Sequence, residues 1–162
     1  MEASDLISIT IFTAANFAAA CSGAFFKPDG WYENLNKPSW QPPNWLFPIV
    51  WTPMYIIMAI SGWMLWRDAG PGEATIPLII YFTHLVFNFA WSAIFFGMKR
   101  IGFAMFEIIF LWGTLVGIIV TFYPISPTAA YMMLPYLAWA TFAGYLNYVV
   151  WQMNKAPLSK AI

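Results

Sequence analysis

An all-α integral membrane protein is the predicted fold class: a five-transmembrane-helix bundle with a long Pro/Trp-rich first loop. Three observations predict it: the composition, five apolar runs of spanning length, and an aromatic stretch punctuated by prolines between the first two runs. The 162 residues are 61% hydrophobic and only 9% charged, against about 25% charged in a typical soluble domain. A soluble fold of this size has too little interior to hide so much apolar surface, so the solvent is a bilayer. The formal net charge of zero argues against a nucleic-acid partner, which calls for clustered Lys and Arg. A single cysteine, Cys21, excludes an internal disulfide and a Cys-rich metal site. Glu2 and Asp5 stand where a signal peptide carries basic residues, so the first apolar run is not expected to be cleaved.

A membrane-crossing helix needs about 20 mostly apolar residues. Five runs qualify: Leu6 to Phe26, Leu46 to Trp66, Ile76 to Phe96, Ile101 to Tyr123 and Tyr131 to Met153, all within one domain, 1–162. Turn chemistry separates them, with Asp68-Ala-Gly-Pro-Gly72 after the second, Lys99-Arg100 after the third, and Pro124 and Pro127 after the fourth. Alternating apolar and polar positions are absent, which argues against a transmembrane β-barrel. Five spans would put Lys27, Lys37, Lys99, Arg100, Lys155 and Lys160 on one side and Arg67 on the other. If the membrane is an inner one, the first loop and C-terminus are thus expected on its positive-inside face. Small residues recur at packing intervals, among them Gly113 and Gly117, and Ala140 and Gly144. They suit close helix packing in one bundle or a homodimer interface.

Between the first two runs, positions 27–45 form the expected lid loop. This loop and the start of the second run hold Trp31, Trp40, Trp45 and Trp51 with Pro28, Pro38, Pro42, Pro43 and Pro48. Proline fixes the backbone and pushes its predecessor toward extended conformations. The stretch reads as a stiff lid presenting aromatic faces over a buried site.

Polar side chains at membrane depth are costly, so each is a candidate for function. Helical spacing aligns Trp51, Tyr55, Met58 and Gly62 in the second span. It aligns His84, Asn88, Trp91 and Phe95 in the third, and Trp139, Ala143, Leu146 and Asn147 in the fifth. Converging, these faces would wall an apolar, aromatic cavity with a few hydrogen-bonding points, as small-molecule sites do. Asn16, Asn88 and Asn147 equally suit structural hydrogen bonds between helices. Trp66, Trp112 and Trp151 read as belt or lipid-facing residues. His84 has no Cys or carboxylate at ligand spacing, so no intrinsic metal site is expected. Glu107 is assigned no catalytic role. Walker, Rossmann and G-x-S-x-G patterns are absent.

The loop residues Lys27-Pro28, Trp31-Tyr32, Lys37-Pro38, Trp40, Pro42-Pro43, Trp45, Phe47-Pro48 and Trp51 resemble the translocator protein family, TspO/MBR, also called the peripheral-type benzodiazepine receptor. Asn88-Phe-Ala-Trp91-Ser92 with Phe95-Phe96-Gly97 is similar to its third-helix block. Pro135-Tyr136-Leu137-Ala138-Trp139, running on to Ala143 and Leu146-Asn147-Tyr148, is similar to its fifth. The resemblance covers about Gly23 to Asn154. It implies a five-helix bundle with a pocket closed by the first loop. The implied ligands are protoporphyrin IX, haem-like tetrapyrroles and synthetic isoquinoline or benzodiazepine compounds, with no intrinsic cofactor. By motif position the pocket residues fall on Trp51, Asn88, Trp91, Trp139, Ala143 and Leu146, with Trp31 and Trp40 in the lid. Animal members also bind cholesterol. Here Gln152 stands where they carry a basic residue, and Lys155 comes one residue too late for the sterol pattern. That counts against cholesterol and favours a bacterial member.

The leading functional expectation is a membrane receptor or carrier for tetrapyrroles, active in their regulation or transport. The alternative is a light- and oxygen-dependent porphyrin-degrading enzyme with Trp51 and Trp139 as candidate catalytic groups. A ligand-responsive membrane scaffold or sensor is a further alternative.

Overall fold

The computed structural model describes residues 3–155. Glu2 and Lys160, used in the charge arguments above, lie outside the described residues. The described chain is helical, without a strand. The helices are α1 (Ala3–Ala20), α2 (Ser22–Phe25), α3 (Gly30–Glu33), α4 (Leu46–Asp68), α5 (Thr75–Ser92), α6 (Ile101–Phe122), α7 (Pro127–Met132) and α8 (Leu134–Asn154). Among the described residues four stretches are long and apolar enough to cross a membrane: Ala3–Phe25, Leu46–Asp68, Thr75–Gly97 and Ile101–Phe122. Helix α8, at 21 residues, has the length but not the apolarity, because Pro135, Asn147, Gln152 and Asn154 interrupt it.

Local chemistry accounts for the breaks. Pro127 opens α7 and Pro135 opens α8, where the missing proline N–H has no helical partner to lose. Asp29 caps α3, its carboxylate accepting from the Trp31 and Tyr32 N–H groups at 3.1 and 3.3 Å. Helix α5 widens into a π-helical turn over Ala93–Gly97. The chain then reverses through Lys99, whose φ of 57° is left-handed.

The packing is inverted relative to a soluble protein. Large apolar side chains such as Phe17, Val86, Phe103 and Phe106 face outward, while Ser8, Asn16, Ser61, His84, Asn88, Glu107 and Asn147 are buried. Helix α1 lies against α4 and α5, α5 against α6, and α6 against α8. Gly62 permits the first of these approaches, since a Cβ there would come within 2.8 Å of Phe12 and Tyr81. Asn16 then ties three helices: its Nδ2 donates to the Phe12 carbonyl at 2.8 Å and to the Tyr81 hydroxyl at 2.5 Å. The Tyr81 hydroxyl donates on to the Met58 carbonyl at 3.0 Å. Asn16 is thus the structural glue that the sequence allowed.

Helix α8 runs antiparallel along α6. Contacts step in opposite directions on the two chains: Gly102 under Trp151, Ile108 against Gly144, Trp112 bonded to Thr141, and Tyr123 beside Tyr131 just before α8 begins. Between α4 and α8, by contrast, the backbones do not approach closely, and large side chains bridge the space. This seam is the opening in an otherwise closed ring of helices.

Candidate functional site

The seam is filled from both walls by aromatic rings. From α4, Trp51 packs edge-on against Tyr136 of α8 at 5.6 Å, and Phe47 packs against Trp139 at 6.0 Å. Trp139 leans on Phe142 at 5.4 Å. From the connecting segment, Trp40 stacks on Tyr145 at 5.6 Å and meets Phe142 at 6.0 Å. Ala143 lies one turn beyond Trp139 and is half-buried. The Trp139 indole nitrogen is buried and has no hydrogen-bond partner among the described residues. A buried donor left unsatisfied costs about 1–3 kcal/mol, so a filled N–H at this position would be a gain.

Behind the aromatic layer runs a directed chain of hydrogen bonds across four helices. The Tyr55 hydroxyl donates to Asn88 Oδ1 through a short contact. Asn88 Nδ2 donates to the Tyr136 hydroxyl at 2.5 Å, which lies 3.0 Å from His84 Nε2. His84 Nδ1 lies 3.2 Å from the Leu111 carbonyl and 3.0 Å from Thr114 Oγ1. A carbonyl only accepts, so Nδ1 carries the proton and Nε2 accepts from Tyr136. Every donor in the chain then points one way. His84 and Tyr136 are fully enclosed, and the histidine is a satisfied structural group, as its isolation in the sequence implied.

A second cluster lies toward the loop end. Trp91 donates from Nε1 to Asn147 Oδ1 at 3.1 Å, and Asn147 Nδ2 donates to the Ile101 carbonyl at 3.2 Å. Trp91 also stacks on Phe95 at 5.1 Å. Phe95, presented inward by the π-helical turn, receives the edges of Trp31 and Tyr32, each at 6.1 Å. Leu146 is buried in the same cluster.

The expected residues therefore divide. Trp40, Trp51, Asn88, Trp139 and Ala143 gather at the seam, while Trp31, Trp91 and Leu146 gather under the loop; Trp91 touches the core of both clusters. Sequence reasoning missed Tyr136 and Thr114 as parts of the polar chain. Tyr136 sits three residues before Trp139, on the same helix face, and that spacing was the available signal. Trp66 and Trp112 are exposed, as lipid-facing residues should be. Glu107 is buried, and neither carboxylate oxygen has a partner among the described residues. Among those residues no group of three or more potential metal ligands assembles.

The loop is fastened to this end of the bundle at two points. Asp29 Oδ2 meets the Lys99 ammonium at 2.8 Å. The backbone of Asn36 exchanges two hydrogen bonds with the Asn154 side chain, at 3.0 and 2.8 Å. Within the loop, Lys37 Nζ donates to the Tyr32 carbonyl at 2.6 Å and sits 4.5 Å from the Tyr32 ring.

An all-helical, multi-pass membrane protein with an aromatic seam is the class that this architecture defines. Comparison with known proteins makes it specific: the chain belongs to the TspO/MBR family, whose model matches residues 10–152. It is 38% identical to protein CrtK of Rhodobacter capsulatus over 152 residues, covering 91% of this chain and 95% of that one. It is 39% identical to the tryptophan-rich sensory protein of Cereibacter sphaeroides over 143 residues, covering 88% and 89%. To the human translocator protein it is 39% identical over 126 residues, covering 76% and 75%.

Proposed function

We propose that this chain is a five-span membrane receptor or carrier for planar tetrapyrroles such as protoporphyrin IX, bound at the seam between α4 and α8 beneath the first loop. The observation that carries the reading is Trp139: an indole packed edge-on and tilted among aromatic rings, whose buried N–H lacks a partner among the described residues. A flat macrocycle would replace side-chain ring contacts with its own stacking on Trp51, Trp139 and Trp40. Its peripheral acceptors would take the free N–H. Lys27 and Lys37, both on the first loop, would pair with its propionates. Family membership supports the same reading, as does the bacterial source of two similar relatives.

A dark titration in nanodiscs against empty discs tests it, following the Soret band of protoporphyrin IX. Saturable binding, displaced by an isoquinoline ligand, is expected for the wild type. Trp139→Phe keeps a ring but removes the N–H and should weaken binding about 5- to 10-fold, on the order of one hydrogen bond. Trp112→Phe, on the lipid face, should leave it unchanged. Equal losses in both variants would remove the seam assignment.

Trp51 and Trp139 also make light-dependent porphyrin breakdown a second reading, because two oxidisable indoles flank the same seam. Illumination of the bound complex separates the two. A single defined product that vanishes in Trp139→Phe favours an enzyme; pigment loss at an unchanged rate favours a receptor.

A further inference from the structure

Away from the seam, the outward face of α6 and α8 holds a groove of about 440 Å³ framed by Arg100, Gly102, Phe103, Phe106 and Trp151. It exists because position 102 has no side chain: a Cβ there would come within 2.8 Å of the Trp151 indole nitrogen. The indole therefore lies directly over α6. Phe103 and Phe106 are each 61% exposed, and the Phe106 ring sits 6.4 Å from Trp151. The floor and walls are apolar and aromatic.

Arg100 frames one end of this groove, and Lys155 stands just beyond the lining, over the Trp151 ring. Lys155 Nζ lies 3.9 Å from the centre of the Trp151 ring, and the Arg100 guanidinium lies 5.2 Å from the Phe103 ring. Neither forms an ion pair among the described residues, whereas their neighbour Lys99 is occupied by Asp29. Arg100 also immediately precedes α6, whose first turn has no side-chain cap. The positive end of a 22-residue helix thus adds to the same patch. Glu107 is buried and takes no part in lining the groove.

We propose that this groove binds one anionic phospholipid, its acyl chain along Phe103, Phe106 and Trp151 and its phosphate between Arg100 and Lys155. An apolar groove on a lipid-facing surface accepts any acyl chain; the two cations, which form no ion pair among the described residues, select the headgroup. Basic sites between helices at the membrane surface recognise anionic lipids in this way. The site is distinct from the tetrapyrrole seam and does not depend on it.

Native mass spectrometry of the detergent-solubilised protein, offered equimolar phosphatidylglycerol and phosphatidylcholine, tests the proposal. The wild type should retain one phosphatidylglycerol in preference. Each cation near a membrane surface contributes about 5-fold, so Arg100→Gln with Lys155→Gln should reduce that preference roughly 30-fold. Arg67→Gln, at the opposite end of the bundle, should leave it intact. Equal retention of the two lipids by the wild type would overturn the proposal, as would a preference that survives the double substitution. One-for-one displacement of the lipid by protoporphyrin IX would also overturn it, because the groove would then belong to the tetrapyrrole site.

Discussion

Tyr136 is the residue on which the polar interior turns. Its hydroxyl accepts from Asn88 and donates to His84, so one phenol satisfies two buried partners on α5. Its ring also receives the edge of Trp51. Tyr136→Phe keeps the ring and strands both partners, which should cost about 1–3 kcal/mol of stability, the range for leaving buried polar groups unsatisfied. Unfolding in detergent measures it, and an Asn88→Ala, Tyr136→Phe double-mutant cycle isolates the pair. A loss no greater than about 0.6 kcal/mol would place the network among ordinary interhelical bonds. At this scale the sequence exposed which residues are polar at membrane depth but not how they connect. Asn88, His84 and Tyr55 stand out by type in apolar runs, whereas the hydroxyls of Tyr136 and Thr114 acquire partners only once α5, α6 and α8 converge. Trp91 and Asn147, each legible on an aligned helix face, likewise reveal their mutual bond only in three dimensions.

At the scale of elements, the first loop is a fastened structure rather than a free strap. Its ion pair with the turn before α6 and its paired amide bonds with the end of α8 join three chain segments at one end of the bundle. The Lys99 ammonium that hydrogen-bonds Asp29 holds that carboxyl below the usual carboxylate range. A lowered value means the pair's contribution is complete above the ordinary carboxylate pKa and is lost as pH falls through the lowered one. Acidification should therefore loosen this fastening. Asn also caps helices well, so Asp29→Asn preserves the start of α3 while removing the charge. The expected result is severalfold faster protoporphyrin IX association at low salt, measured by stopped flow, with the difference shrinking at high salt as screening weakens the wild-type pair. An unchanged rate at low salt would separate this ion pair from ligand entry. Prolines and tryptophans marked the segment before α4 as distinct from the spans, and the apolar runs announced the long helices. The one-turn helix Gly30–Glu33 and the π-helical turn Ala93–Gly97 were not legible: the first rests on a single aspartate cap, and the second on where Phe95 must point to fill the bundle.

At the scale of the whole molecule, the open question of chemistry is α8, which is too polar to be read as a span by hydropathy alone. The proposed five-span reading has it cross, and the packing is what that reading rests on. Its contacts with α6 step steadily from Thr141 and Gly144 to Trp151, and α6 is itself apolar enough to span. A helix lying antiparallel along a spanning helix shares its depth. Asn147, the polar group that lowers the apolarity of α8, is buried and bonded to Trp91 and the Ile101 carbonyl, so lipid never meets it. Of the other interruptions, Pro135 falls in the first turn of α8 and Gln152 and Asn154 in the last, where a span would meet water. In a Cys21→Ser background, single cysteines at Ser39, Gly72 and Lys155 test the topology with an impermeant maleimide on sealed, oriented membranes. Five spans require Ser39→Cys and Lys155→Cys to label from one side and Gly72→Cys from the other. Lys155→Cys labelling together with Gly72→Cys would mean four crossings. It would also contradict the Asn36–Asn154 pairing that brings the loop and the end of α8 together. The expected pattern would in turn put Lys27, Lys37, Lys99, Arg100 and Lys155 on a single face, against Arg67 on the other, as the positive-inside rule demands.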